Sequence, residues 1–349
     1  MTVFSHPDFD GHEGVHVFAD AESGLRAIIA VHNTNRGPAS GGTRFWSYAS
    51  DADALTDALR LSRAMSYKNA MARLSIGGGK GVIMKPDGDF DRDALFRAYG
   101  RAVDDVNGTY ITAEDVGVSP ADMAVIKTQT DHVAGLPDTS GDPSPVTADG
   151  VFRGIKIAAR HAFGSSELSG RRVAVQGLGH VGYALAEHLS KAGAALFVAD
   201  INADVLERAA DELGALIVPT DAIHAQDVDI FAPCALGGAV NAGSLPQITA
   251  RIIAGAANNQ LATPDMAGAL RKAGKLYAPD YVINAGGIIN VDAEVSRPRY
   301  DPAWVESKLD ELEDTLAEVF ERAGAENRTT VAVADAMARA RMAEKRDWR

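Results

Sequence analysis

Val173-Ala174-Val175-Gln176-Gly177-Leu178-Gly179-His180-Val181-Gly182 reads as a buried strand that turns on glycine into a helix beginning near Tyr183. In that setting the spacing G-x-G-x-x-G has a mechanism: the first glycine permits the tight turn, the second admits a pyrophosphate against the backbone, and the third lets helix and sheet pack closely. The helix N-terminus favours negative charge. A second strand, Ala195–Ala199, follows a helical stretch over Ala184–Ala192 and ends at Asp200, about twenty residues on, where a carboxylate can bind the adenosine ribose and repel a 2′-phosphate. A βαβ unit of a Rossmann-type, doubly wound NAD-binding domain is therefore expected, with NAD favoured over NADP.

Outward from this unit, alternation of strand and helix continues towards the N-terminus. Leu25–Val31 is a short apolar strand, Asp51 opens a helix running to about Ala72, and Arg92–Val106 is a second helix leading to Tyr110-Ile111-Thr112. Gly77-Gly78-Gly79-Lys80-Gly81 reads as a flexible loop entering the strand Val82-Ile83-Met84, with Lys80 at the junction. Gly135–Pro145, with three prolines and two glycines, is the clearest break and a candidate hinge; beyond it Val151–Ala162 reads as helix. Near the C-terminus Leu309, Leu312, Leu316, Val319 and Phe320 recur at helical spacing and need a surface to pack on. The expected fold class is α/β with two domains separated by a cleft: a catalytic domain over 1–134, to which 326–349 returns, and the dinucleotide-binding domain over 135–325.

A chain of 349 residues at ordinary globular composition is long enough for two cores, and its formal net charge of −13 opposes nucleic acid and anionic membranes as partners. No apolar run approaches the ~20 residues of a membrane span. Met1–Gly14 lacks the basic start and apolar core of an export signal, and the single cysteine, Cys234, fits a reducing cytoplasm. Three motifs fail on inspection. His12-Glu13-Gly14-Val15-His16 has the letters of a zinc helix, but its glycines break the helix. Gly79-Lys80 has Leu74 and Gly81 where a phosphate-binding loop needs glycine and Ser/Thr, and no tyrosine is followed four residues later by lysine. No metal site is expected. The remaining acid/base candidates are Lys68, Lys80 and Asp115: burial and a neighbouring cation would lower a lysine's pKa until it serves as a base, whereas Asp115 also suits a turn or cap before Ser119-Pro120.

With these residues marked, Ser40-Gly41-Gly42-Thr43-Arg44, Tyr67-Lys68-Asn69-Ala70, Gly77-Gly78-Gly79-Lys80, Thr112-Ala113-Glu114-Asp115-Val116-Gly117, Pro143-Ser144-Pro145-Val146-Thr147-Ala148, Gln176-Gly177-Leu178-Gly179, Asn258-Asn259-Gln260-Leu261 and Asn284-Ala285-Gly286-Gly287 stand in an order that resembles the leucine/phenylalanine/valine dehydrogenase branch of the glutamate dehydrogenase superfamily. The resemblance implies reversible, NAD-dependent oxidative deamination of an L-amino acid to a 2-oxo acid and ammonium, by a homo-oligomer. It implies that Lys68, helped by Gly41 and Gly42, binds the substrate carboxylate, that Lys80 is the general base, and that Asp115 shuttles protons. It places Ser40, Met65, Ala113, Ile288 and Val291 around the substrate side chain, with Asn259 or Asn258 beside the substrate. For the cofactor it implies Thr147, Asn258 and Asn284 at the nicotinamide end, Gly177, Gly179, His180, Val181, Gly182 and Ala235 along the phosphates, and Asp200 and Ile201 at the adenosine end. Ser40 stands where the glutamate enzymes carry a lysine, which disfavours a dicarboxylate; branched or large apolar amino acids rank first, and phenylalanine or tryptophan next. A malic-enzyme-like protein would need a metal cluster that the sequence does not display, and a silent NAD-binding regulator would be expected to lack one of Lys68, Lys80 and Asp115.

Overall fold

The computed structural model describes residues 2–136, 141–297 and 299–348, which form two compact units. The first comprises Met1–Gly141, Val291–Pro302 and Ala338–Arg349, and the second Asp142–Asn290 and Ala303–Met337. Of the proline- and glycine-rich break, Pro137–Ser140 lie outside the described residues.

In the first unit the strands β1 (Gly14–Asp20), β2 (Leu25–Asn33), β3 (Ala39–Trp46), β4 (Gly77–Met84) and β5 (Tyr110–Glu114) form a sheet in the order β1-β2-β4-β3-β5. The β1/β2 and β2/β4 pairs are antiparallel, and β4/β3 and β3/β5 are parallel. Parallel neighbours need crossovers, supplied by helices α1 (Asp51–Met71) from β3 to β4 and α2 (Arg92–Asp105) from β4 to β5, with α3 (Pro120–Lys127) beyond. Helix α1 starts at Ser50, whose hydroxyl accepts the Asp53 amide, with Asp51 and Asp53 in the first turn.

Side chains alternate across the sheet. Ile29, Val31 and Ile83 pack with Leu95, Phe96 and Tyr99 of α2 and Met123 and Ile126 of α3, while Ile28, Ala30 and Val82 pack with Ala54 and Ala58 of α1. Lys80, two residues before Val82, therefore shares the face covered by α1. This corrects the reading of Gly77–Gly81 as a loop: the whole run belongs to β4, with Gly78, Gly79, Lys80 and Gly81 in register with β2 and Gly77, Gly78 and Gly81 in register with β3. The glycines are there for space. A Cβ on Gly78 would lie 2.1 Å from the Ser66 amide nitrogen of α1, and one on Gly79 2.7 Å from the Tyr110 ring. The C-terminal segment is clamped to this unit. Arg339 donates to the Tyr67 hydroxyl, Arg341 to the Met71 carbonyl, and Trp348 to the Thr34 carbonyl.

The second unit begins with α4 (Ser144–Phe163), which starts seven residues earlier than the sequence suggests because Pro145 occupies the first turn, where no amide donor is needed. After it come β6 (Arg172–Gln176), α5 (His180–Lys191), β7 (Ala195–Ala199), α6 (Ala203–Leu213), β8 (Leu216–Ile217), β9 (Ile230–Pro233), β10 (Ile252–Ile253), α7 (Met266–Lys272) and β11 (Leu276–Tyr277). Among the described residues the sheet is wholly parallel, in the order β11-β10-β9-β6-β7-β8. Counted within the unit that is the doubly wound order, with its topological switch between β6 and β9, where ligands bind beyond the strand ends. Helices α8 (Asp280–Ile283), α9 (Gly286–Val295), α10 (Pro302–Ala325) and α11 (Thr330–Ala343) complete the chain. The apolar stripe of α10 finds its surface on α4, where Gly150 and Gly154 would bring a Cβ to 3.4 Å from Leu309 and 3.0 Å from Leu316. Among the described residues no helix is long and apolar enough to cross a membrane.

Candidate active site

The α1 face of the first sheet brings together most of the residues marked for catalysis. Lys80 Nζ, on β4, donates to Asp115 Oδ2, just past β5, at 2.5 Å. Burial pushes the Lys80 ammonium below its ordinary pKa, although the Asp115 carboxylate opposes that shift. Burial pushes Asp115 up, but Lys80 and then Arg44 outweigh it and hold the carboxylate below its ordinary range. The side chain of Asp115 is thus engaged with cations and with the Val116 amide, while its carbonyl accepts the Val118 amide and Ser119 caps α3.

Gly42 makes this approach possible, since a Cβ there would stand 2.8 Å from the Asp115 Cβ. Gly41 is pinned from the opposite face by the buried Tyr110 hydroxyl, which donates to its carbonyl at 2.6 Å, and a Cβ on Gly41 would meet Met65 Cγ of α1 at 3.2 Å. Ser40, paired in register with Gly78, is fully buried and its Oγ has no hydrogen-bond partner. Lys68 lies half-buried on α1, followed by Asn69, whose amide donates to the Gly77 carbonyl at 2.6 Å, and Ala113 is buried in register with Gly42. Ile288 and Val291 are half-buried on α9, the former in the second unit and the latter in the first.

Arg44 carries no role on sequence grounds alone. It shares the strand face of Ser40 and Gly42, and its Nε stands 3.4 Å from Asp115 Oδ2 while its Nη1 donates to Asp57 at 2.9 Å. Period-two alternation along β3 was the signal that would have found it. The failed zinc motif has a structural use instead: His12 bonds the Leu59 carbonyl and the Ser62 hydroxyl, and Glu13 accepts from the Thr34 amide and hydroxyl.

In the second unit the glycine turn stands at the β6/β9 switch. Gly177 has φ +95° and would press a Cβ 2.7 Å from that of Ala235, and Gly182 would press one 2.0 Å from the Gly177 carbonyl oxygen. A Cβ on Gly179 would meet nothing within 4 Å, and α5 begins there without a side-chain cap. Open space over uncapped helix amides is what a pyrophosphate requires. Beside it is a concavity of about 700 Å³ whose lining includes Leu178, Gly179, His180, Asp200, Tyr183 and Arg208. Asp200 is fixed at its edge by the amides of Leu178 (2.6 Å) and Asn202 (2.9 Å), and Ile201 next to it is almost wholly exposed. Val181 is half-buried in the first turn of α5. Tyr183 and Arg208, missed in the sequence, stack with the guanidinium 3.9 Å from the ring centre.

Further along, Asn284 donates to the Ala256 carbonyl and to Asn258 Oδ1 at 2.9 Å, which leaves its buried Oδ1 without a protein donor. Thr147 on α4 lies against the start of α9, where a Cβ on Gly287 would fall 2.8 Å from its hydroxyl. Asn259 is exposed with φ +52°, and its carbonyl accepts the Gly238 amide. An orphaned amide oxygen, an uncapped helix and a glycine cradle together fit a dinucleotide with a carboxamide at one end.

Residues 12–132 match the family model described as Glu/Leu/Phe/Val dehydrogenase, dimerisation domain, and residues 197–347 match glutamate/leucine/phenylalanine/valine dehydrogenase. The leucine dehydrogenase of Geobacillus stearothermophilus is 48% identical over an alignment covering 100% of this chain and 95% of the relative. The chain belongs to the glutamate/leucine/phenylalanine/valine dehydrogenase family. The valine dehydrogenase of Streptomyces coelicolor is 44% identical, with 99% of this chain and 96% of that one covered. The crystal structure of L-tryptophan dehydrogenase from Nostoc punctiforme superposes with a TM-score of 0.86 at 44% identity, covering 95% of this chain and 96% of that chain. The protein is accordingly an amino-acid dehydrogenase, an oxidoreductase acting on a CH–NH2 group, and its Rossmann-type unit serves a nicotinamide cofactor.

Proposed function

We propose that the protein catalyses the reversible, NAD-dependent oxidative deamination of a branched-chain or large apolar L-amino acid to its 2-oxo acid and ammonium. The buried Lys80–Asp115 contact at 2.5 Å carries this reading, because amine oxidation followed by hydrolysis needs a base and a proton carrier at one carbon. Lys68, with the backbone of Gly41 and Gly42, holds the substrate carboxylate. Lys80, as the neutral amine, takes a proton from the substrate ammonium. When bound, the nicotinamide accepts the hydride that leaves the substrate Cα. Lys80 passes the proton it took to Asp115 and, neutral again, removes a proton from the water that adds to the resulting iminium; Asp115 returns its proton to the amine of the carbinolamine, which collapses to ammonium and the oxo acid, and Lys80 releases the last proton to solvent. The balance is one amino acid, one water and one oxidised cofactor in, and one oxo acid, one ammonium, one reduced cofactor and one proton out.

Thr147, Asn258 and Asn284 hold the nicotinamide end, Gly177, Gly179, His180, Val181, Gly182 and Ala235 line the phosphates, and Asp200 and Ile201 take the adenosine. The fixed Asp200 carboxylate supports NAD over NADP. Met65, Ala113, Ile288 and Val291 supply the apolar wall, and Asn259 is assigned to the substrate. An aromatic substrate is the second reading, favoured by the small, buried Ser40 with its unpartnered hydroxyl. A homo-oligomer in the cytoplasm fits the matched dimerisation-domain description and the single cysteine, Cys234. The test is NADH formation at alkaline pH with L-leucine, L-valine, L-phenylalanine, L-tryptophan and L-glutamate, with NADP as control. Turnover of an apolar amino acid with NAD is expected, and a preference for glutamate or NADP would reject the assignment.

A further inference from the structure

Beyond the Lys80–Asp115 contact, and reaching the same Asp115 oxygen, a chain of polar groups extends that the proposed chemistry does not use. Arg44 Nε stands 3.4 Å from Asp115 Oδ2, its Nη1 donates to Asp57 Oδ2 at 2.9 Å, and the Tyr48 hydroxyl donates to the same oxygen at 2.6 Å. The three come from β3, α1 and the segment between them, so the arrangement is tertiary and not a local accident of one helix. Arg44 Nε is buried and makes no hydrogen bond, so its influence on Asp115 is that of a charge held in place by Asp57. A guanidinium remains charged throughout the range in which an enzyme works.

We propose that Arg44, aimed by Asp57 and Tyr48, is a positioning residue that keeps Asp115 a compensated carboxylate while Lys80 is the neutral amine. The inference rests on the reading of Lys80 and Asp115 as the acid/base pair. With one shared proton the pair is neutral; without it, in the form that can accept a substrate proton, the pair carries one negative charge in a buried site. Arg44 favours the second form whichever of the two atoms held the proton, and removing Arg44 raises the pH at which the pair gives that proton up. The influences on Lys80 agree with this: burial is the largest and lowers it, Arg44 lowers it further, and Asp115 and the more distant Asp57 oppose. Of the elements around the pair, α1 also carries Asp51, Asp53, Arg60, Arg63 and Lys68, β2 carries Arg26 and the buried His32, and Glu114 stands exposed at the end of β5.

Arg44, Trp46, Tyr48, Thr56, Asp57 and Arg60 also line a concavity of about 510 Å³ that opens to solvent, roomy enough for a small cation to replace a missing guanidinium. The experiment is the pH profile of kcat/KM for amino-acid oxidation by the full chain carrying Arg44→Gln, Arg44→Lys or Arg44→Ala. The substrate's own amine titration is common to all of them. Arg44→Gln is expected to move the acid limb upward by about one pH unit, with a matching tenfold loss below the limb, and Arg44→Lys to leave the limb near its original place. Millimolar guanidinium is expected to bring the limb of Arg44→Ala back down. An unmoved limb in Arg44→Gln, or an equal shift in Arg44→Lys, would overturn the proposal. If the neutral variants do not fold, Tyr48→Phe keeps both charges and loosens Asp57: a smaller upward shift is expected, and an unmoved limb counts against the proposal. Lys80→Met separates the two levels, because full activity in that variant sinks the acid/base reading itself, whereas an inactive Lys80→Met with indifferent Arg44 variants sinks only the role of Arg44.

Discussion

Two glycine-rich stretches, one in each unit, look alike as letters and do opposite things. Gly77-Gly78-Gly79-Lys80-Gly81 is the first part of a central strand, flanked by strands on both edges and crowded on both faces, by Ser66 of α1 on one and by Tyr99 and Tyr110 on the other. Gly177-Leu178-Gly179-His180-Val181-Gly182 is a turn at a strand end, in which the outer glycines are crowded by protein and the middle one faces open space. In the first stretch the missing side chains make room for the fold and so allow a lysine to be buried; in the second they make room for a ligand. Glycine count does not distinguish the two cases. What occupies the place of the absent Cβ does.

That contrast can be broken by substitution. The largest effect is expected from Gly78→Ala, where a Cβ 2.1 Å from the Ser66 amide nitrogen cannot be accommodated without separating α1 from β4. Overpacking of a rigid site costs about 1–3 kcal/mol or more, so a marked fall in melting temperature and loss of turnover are expected; an unchanged melting curve would show that α1 is not held as described. Next comes Gly179→Ala, with nothing within 4 Å of the added methyl. It should leave the melting temperature of the unliganded protein within a degree or two while weakening NADH binding at least tenfold, because the methyl enters ligand space; tight NADH binding would place the phosphates elsewhere.

Asp200→Gly sharpens the assignment at the adenosine end. It removes the anion that repels a 2′-phosphate, and the ratio of kcat/KM for NAD over NADP should fall by about one to two orders of magnitude, in line with about 1.5–3 kcal/mol for a hydrogen bond to a charged group. A ratio unaffected by the change would remove Asp200 from the site. The smallest effect belongs to Arg153 of α4, which is ringed by Asp149, Glu306, Asp310 and Glu313. The acceptors on α10 are largely solvated, so Arg153→Ala should cost no more than about 1 kcal/mol in denaturant titration and less still at high salt. A loss several times larger would mean that this surface cluster holds α4 and α10 together.

Much of the second unit was legible because local signals agreed. The strands Arg172–Gln176 and Ala195–Ala199 occupy the residues the apolar runs suggested, and the turn between strand and helix lies where its glycines put it. The two-residue strands β8, β10 and β11 were not, since a pair of residues has no periodicity to read. Helix α4 was read seven residues short because Pro145 looks like a loop residue until its place in the first helical turn is known. In the first unit the glycines around Lys80 mark it in the sequence, yet as letters they suggest looseness where the fold uses them for close packing. Nothing local marks Arg44, since its importance comes from Asp115, Asp57 and Tyr48, which only the folded sheet brings to it.

The pH dependence follows from the same site. Burial lowers Lys80 and outweighs Asp115, so the neutral amine becomes available below the ordinary lysine range. kcat/KM should therefore fall as pH drops through that lowered value and Lys80 regains its proton. The central claim is that this buried lysine is the base, and the most direct measurement compares Lys80→Met with the unaltered protein for amino-acid-dependent NADH formation, alongside NADH titration by fluorescence. Turnover is expected to fall by about 10²–10⁴-fold or more with NADH affinity retained within a few-fold and the low-pH limb abolished. Retention of appreciable turnover with its acid limb intact would contradict the assignment of Lys80.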